Sequence, residues 1–109
     1  MEKSVMMINR LRKLAEKSNH THYKHASIVL KGGAIQATGY NFNSTHSEIK
    51  ALSQIWPSKR RNTIVFNLRF THSGLGNSAP CNKCRKFMID NGVSQSWYWE
   101  DGFLVKEKL

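Results

Sequence analysis

The stretch HASIVLKGGAIQATGYN, residues 25–41, decides the fold class. Residues 26–31 read as a strand, Gly32-Gly33 as a tight turn, and residues 34–40 as a second strand. A hairpin at this point makes the chain neither all-helical nor a plain alternation of strand and helix. The elements on either side complete the pattern.

Upstream, residues 2–18 read as a helix. Val5, Ile8, Leu11, Leu14 and Ala15 recur at helical spacing, while Lys3, Arg10, Arg12, Lys13 and Lys17 fall mostly on the other side. Downstream, a second helix is expected over residues 45–56, burying Ile49, Leu52, Ile55 and Trp56. Pro57 and the run Lys59-Arg60-Arg61 close it. TIVFNLRF, residues 63–70, is a third strand. A loop containing Gly74 and Gly76 then leads to a third helix that opens at Pro80 and stops at Asn91-Gly92. The tail, residues 94–108, holds two short strands around Glu100-Asp101-Gly102. The order α-β-β-α-β-α-β-β predicts an α/β fold, a five-stranded mixed sheet with helices on both faces, and a single domain over residues 1–109.

Bulk composition narrows the function classes. A hydrophobic share of 39% and a charged share of 22% are ordinary for a globular protein. No apolar run approaches a membrane span and no signal peptide precedes the first helix, so a cytoplasmic, reducing location is expected. Charge is the outlier. Seventeen Lys and Arg against seven Asp and Glu leave +10, which favours a polyanionic partner such as RNA, DNA or a nucleotide pool, with single-stranded DNA or RNA expected on the basic surface.

APCNKC, residues 79–84, holds both cysteines of the chain, and THSEI, residues 45–49, holds a histidine and a glutamate two apart. In a reducing compartment a cysteine pair points to metal or catalysis before a structural disulfide. Cys81 and Cys84 share a helix face, and a helix N-terminus favours thiolate. With His46 they make three ligands of a tetrahedral zinc site, one ion per chain, leaving the fourth position for water. Zinc lowers the pKa of such a water to about 7. Glu48, two residues from His46, suits a general acid/base.

Bland readings compete at each point. Thr45-His46-Ser47-Glu48 is also a capping box, with Glu48 reaching back to Thr45. The cysteines also fit a redox pair, or a structural zinc site completed by His72. His20, His22 and His25 cluster in NHTHYKH, where polar turn residues are expected before a second metal site. Trp97 and Trp99 share a strand face, with core packing set against base stacking.

The H-x-E and P-C-x-x-C pattern resembles the cytidine and deoxycytidylate deaminase superfamily. The likeness runs from HASIVLKGGAIQATGYN through HSEIKAL and NSAPCNKCRKFM to SWYWEDGFLVKEK, and is strongest to small viral or environmental members. It implies a three-layer α/β/α fold, one catalytic zinc, and hydrolysis of an exocyclic amine to a carbonyl. It also implies that Asn41 holds the sugar or base, that Ala26 backs the pocket, and that the protein forms a homo-oligomer. His72 and Trp97 complete the expected substrate contacts. The chain departs from the pattern in its long glycine-bearing loop, residues 71–79, in Ala79 before Pro80, and in a tail with no helix before the last strand.

The expected activity is zinc-dependent deamination of cytosine to uracil in a (deoxy)cytidine nucleoside or nucleotide, or in a short single strand. A duplex base would have to be flipped out at a cost of a few kcal/mol. An adenine deaminase acting on RNA, and an inactive zinc-containing nucleic-acid-binding module, are the alternatives.

Overall fold

Gly32 and Gly33 sit at φ of 58° and 80°, the left-handed region that a two-residue hairpin turn requires and that side chains resist. Around them β1 (Lys24–Lys31) and β2 (Ala34–Tyr40) pair antiparallel. The computed structural model of the chain describes residues 2–19, 24–43 and 45–109. In order, its elements are α1 (Glu2–Ala15), β1, β2, α2 (Ser47–Ser53), a 3-10 turn (Pro57–Lys59), β3 (Ile64–Thr71), β4 (Gly74–Gly76), α3 (Asn82–Asp90), β5 (Gln95–Glu100) and β6 (Phe103–Lys108).

The sheet runs β2-β1-β3-β5-β6, and β4 pairs with the end of β3. Among the described residues only β3 and β5 run parallel, with α3 in the crossover between them. The chain ends in an antiparallel hairpin, β5 and β6, turned at Asp101-Gly102 with φ of 50° and 88°. The sheet is thus mixed and flanked by helices, as expected, but has six strands instead of five. The extra one is β4. Its residues Gly74, Leu75 and Gly76 pair with Thr71, Phe70 and Arg69; two glycines in three residues leave no apolar alternation from which a strand can be read.

Side-chain parity splits the sheet into two faces. On one, Leu11 and Ala15 of α1 pack with Ala26, Ile28, Leu30 and Leu68. On the other, Ala51 and Leu52 of α2 and Met88 of α3 pack with Val29, Ala37 and Val65. Gly39 lets α2 lie directly on β2. A Cβ there would come 2.7 Å from both the Ala51 amide nitrogen and the Ser47 carbonyl oxygen, closer than any packed pair tolerates.

Helix ends depart from expectation. α1 stops at Ala15, and α2 spans Ser47–Ser53, two residues shorter at its start and three at its end. Trp56 therefore falls outside α2. It is 76% exposed, not buried, because the chain turns at Pro57 before the helical register can carry its ring onto the sheet. His20 and His22 lie outside the described residues. Their neighbour His25 is in β1, not in a polar turn.

Candidate metal centre

Residues at the starts of α2 and α3 are brought together. His46 is the N-cap of α2 and Cys81 the N-cap of α3, and neither makes a side-chain cap bond. The capping-box reading is therefore corrected: Thr45 lies outside the helix, bridged to Phe42. Cys84, one turn into α3, is fully buried, while Cys81 is exposed. His46 Nδ1 lies 3.0 Å from Cys84 Sγ and 3.6 Å from Cys81 Sγ. All three donor atoms fall within 4.8 Å of one another.

That spacing fits a zinc ion. Zn–S bonds of about 2.3 Å and Zn–N bonds of about 2.0 Å in a tetrahedron place neighbouring donors about 3.5–3.8 Å apart. The electrostatics agree. Burial pushes the Cys84 thiol well above its ordinary value, and the nearby Glu48 carboxylate and Cys81 push it further, against Lys83. Two thiols and a carboxylate crowded in this way favour a divalent cation, which deprotonates a coordinating thiol outright. Among the described residues this is the only group of three or more such ligands.

Glu48 is not in that cluster. It lines the adjoining cavity of about 380 Å³, with His25, Asn41, Asn43, Thr45, Ser47 and Asn67 among its neighbours. Its side chain is almost wholly buried. Burial raises its pKa above the ordinary 4.5, opposed by its own backbone N–H, the His46 charge and the Ser47 hydroxyl.

A buried polar network stands behind the carboxylate. Ser47 Oγ lies 2.8 Å from Ser27 Oγ, 3.0 Å from Asn67 Oδ1 and 3.2 Å from Glu48 Oε1. Ser27 Oγ also donates to Asn67 Oδ1 at 3.1 Å. Two hydroxyl protons are thus shared among Asn67 Oδ1, Glu48 Oε1 and the two serine oxygens. Asn67 Nδ2 donates to the Ser78 carbonyl at 3.0 Å, and Ser78 Oγ donates to the Asn67 carbonyl at 2.8 Å. Ser78 is held in turn by the Trp99 backbone on β5. Asn67 thus ties the start of α2 to the segment that delivers Cys81.

Of the expected substrate contacts, Asn41 lines the cavity. It is fixed by the His25 backbone N–H, which donates to Asn41 Oδ1 at 2.8 Å. The other three do not line it. Ala26 is buried on the α1 face of the sheet. Trp97 stacks on Phe66, 5.2 Å between centroids, and Phe66 packs on that same α1 face. His72 lines a different cavity. The missed residues are His25 and Asn67. Their signal was faint but present: Ser27 and Asn67 are polar positions inside otherwise apolar strand runs, which a fully buried strand does not carry without a reason.

Residues 1–100 match the model of the cytidine and deoxycytidylate deaminase zinc-binding region. The chain belongs to this family. Membership makes it a cytidine- or deoxycytidylate-deaminase-type protein, and the His46, Cys81 and Cys84 cluster fits the one zinc per chain that such a region holds. No curated protein sequence matches the chain significantly. Among solved structures, a dCMP deaminase from the cyanophage S-TIM5 in apo form is similar, with a TM-score of 0.68 at 22% identity. The match covers 87% of this chain and 80% of that one. Acinetobacter baumannii RibD, form 2, follows with a TM-score of 0.62 at 13% identity, over 84% of this chain but 26% of that one. At such identities these likenesses speak to the fold. Among the described residues no helix of this family member is long and apolar enough to cross a membrane.

Proposed function

We propose that the protein hydrolyses the exocyclic amine of cytosine, converting a (deoxy)cytidine nucleoside or nucleotide to its uracil form. One observation carries the reading: a His-Cys-Cys donor cluster sits beside a buried carboxylate in one cavity. The cavity, about 380 Å³, falls within the usual range of roughly 300–1,000 Å³ for small-molecule sites.

His46, Cys81 and Cys84 would hold the zinc, whose contribution is to lower the pKa of a water to about 7. The residues of the chain do the rest. Glu48 takes a proton from the attacking water and gives it to ring N3 as the oxygen joins C4, then carries the remaining hydroxyl proton to the departing amine. The C4–N bond breaks, ammonia leaves, and a carbonyl remains, so one water is consumed for each ammonia released. Burial suits Glu48 to both halves of this task, since a raised pKa makes the protonated acid accessible nearer neutrality. Ser47 and Asn67 hold the carboxylate in place. Asn41, fixed by the His25 backbone, presents an amide to the sugar or base.

The experiment is ammonia release from the zinc-loaded protein on cytidine, deoxycytidine, dCMP, adenosine and single-stranded oligonucleotides. Turnover of a cytosine substrate supports the reading. Turnover of adenosine alone would replace cytosine with adenine, and zinc binding with no turnover at all would leave a binding module.

A further inference from the structure

A second cavity, of about 680 Å³, lies at the same end of the sheet as the metal centre. Arg12 of α1, Glu16 just after it, Lys24, Arg69 and His72 line it, and Glu16 is the only carboxylate among these described residues. Lys24 and His25 are consecutive in β1, so their side chains point to opposite faces. His25 lines the metal cavity and Lys24 the second one. The two cavities thus open on opposite faces of the sheet, beside the first two residues of one strand.

Arg12 and Lys24 are held by uncharged partners. The Arg12 guanidinium lies over the Phe70 ring, 5.4 Å from its centroid. Lys24 Nζ donates to the Ser18 carbonyl at 3.4 Å, which uses one of its three donors. Among the described residues the ion pairs are Arg85 with Glu107 and Lys86 with Asp90, and neither involves Arg12 or Lys24. Basic groups on a concave wall focus potential more than the same charges on a convex surface, and here they outnumber the one carboxylate. The other basic run is different in kind. Arg60 is committed to the Ile55 carbonyl and to Asn91 Oδ1, both at 2.8 Å, so it serves the fold.

We propose that the second cavity is a phosphate-backbone groove: a single-stranded nucleic acid whose cytosine enters the metal cavity lays adjoining phosphates against Arg12, Lys24, Arg69 and His72. This rests on the deaminase reading of the metal centre. The link between base and phosphates is the adjacency of His25 and Lys24 in β1, one on the wall of each cavity. The excess of seventeen basic over seven acidic side chains adds a long-range attraction to the same partner.

The test compares two double variants of equal charge change in the zinc-loaded protein. Arg12→Ser with Lys24→Ser removes cations from the cavity; Lys59→Ser with Arg61→Ser removes two from the other run. Binding of a labelled single strand of about twelve nucleotides is read by fluorescence anisotropy against salt. Deamination is read on that strand and on dCMP. The cavity variant should weaken strand binding about tenfold at low salt and reduce the log–log salt slope by about 1.4, two phosphates at about 0.7 each. Its kcat/KM on the strand should fall in step while that on dCMP stays within about twofold, and the Lys59/Arg61 variant should do markedly less to either. Equal losses in both variants would mean diffuse attraction and overturn the groove. A parallel loss on dCMP would assign the cations to a free nucleotide's phosphate and overturn the strand. No strand binding by the parent at low salt, with dCMP still turned over, sinks the groove and leaves the deaminase reading standing. If the parent deaminates nothing, that reading fails, and the anisotropy comparison alone decides the groove.

Discussion

The two faces of the sheet are built on different principles. Under α1 the core is apolar: Leu11, Ala15, Ala26, Ile28 and Leu68 are buried, and Phe66, Trp97 and Trp99 extend the layer. Under α2 and α3 the strands change character along their length. Val29 and Val65 pack with Ala51, Leu52 and Met88, but toward the metal centre the same face carries Ser27, Asn67, Ser47 and Glu48, all buried. Buried polar groups contribute little net stability even when satisfied, and they are costly when broken. The first face holds the protein together. The second gives up apolar packing to hold a carboxylate and three donors in fixed relation.

Breaking the second face at its centre should have the largest effect. Cys84→Ala removes a buried donor, and zinc content by elemental analysis should drop from about one per chain to nearly none, with turnover abolished and thermal stability reduced, because the ion ties the starts of two helices together. Full zinc retention in both Cys81→Ala and Cys84→Ala would remove this cluster as the metal site.

Glu48→Gln separates chemistry from architecture. Zinc content and fold should be kept while kcat falls by about 10²–10⁴, the usual worth of a general acid/base. Wild-type turnover in this variant would reduce Glu48 to a packing residue.

Neighbouring positions on β3 sharpen the contrast between faces. Leu68 and Asn67 are both buried but point opposite ways. Leu68→Ala should cost about 2–5 kcal/mol of unfolding free energy and leave zinc affinity and kcat close to wild type. Asn67→Ala should cost less, about 1–3 kcal/mol, because it takes one acceptor from the Ser27 and Ser47 hydroxyls and the Nδ2 donor from the Ser78 carbonyl. Yet it should weaken zinc retention against a chelator, since it loosens the tie between α2 and the Cys81 segment. If the two variants lost zinc in proportion to their lost stability, the faces would not be functionally distinct.

The smallest expected effect is a pH dependence in the zinc-free chain. Burial holds the Glu48 pKa above 4.5, so the folded state keeps a proton that the unfolded state releases. Stability from this group is complete below about pH 4.5 and is lost as pH rises through the raised value. Glu48→Gln removes that titration. Its melting temperature relative to the parent should be flat at low pH and shift in its favour across the window above 4.5. Parallel curves throughout would mean that the carboxylate titrates as though in water.

Much of this was legible in the order of residues because it is local. Tight turns need φ above zero, and Gly32-Gly33 and Asp101-Gly102 announce them. The spacing of Cys81 and Cys84, and of His46 and Glu48, follows from how side chains project from a helix start, so the donor set and its carboxylate could be named without coordinates. The β-strands and helices around them were found within a few residues, apart from β4, whose glycines carry no pattern.

What the tertiary structure alone decided was which side of the sheet each residue faces and what waits there. Alternation says that Trp97 and Trp99 share a face, but a period of two does not say which. The placement of α1 against Phe66 and Leu68 put the tryptophans, and Ala26, on the side away from the metal centre. The exit of the chain at Pro57 left Trp56 in solvent, and the crossing of β1 with β3 brought Ser27 opposite Asn67. His25 and Asn67 reached the cavity through strand pairing between segments some 40 residues apart. Such contacts depend on register and crossover, which no local propensity encodes.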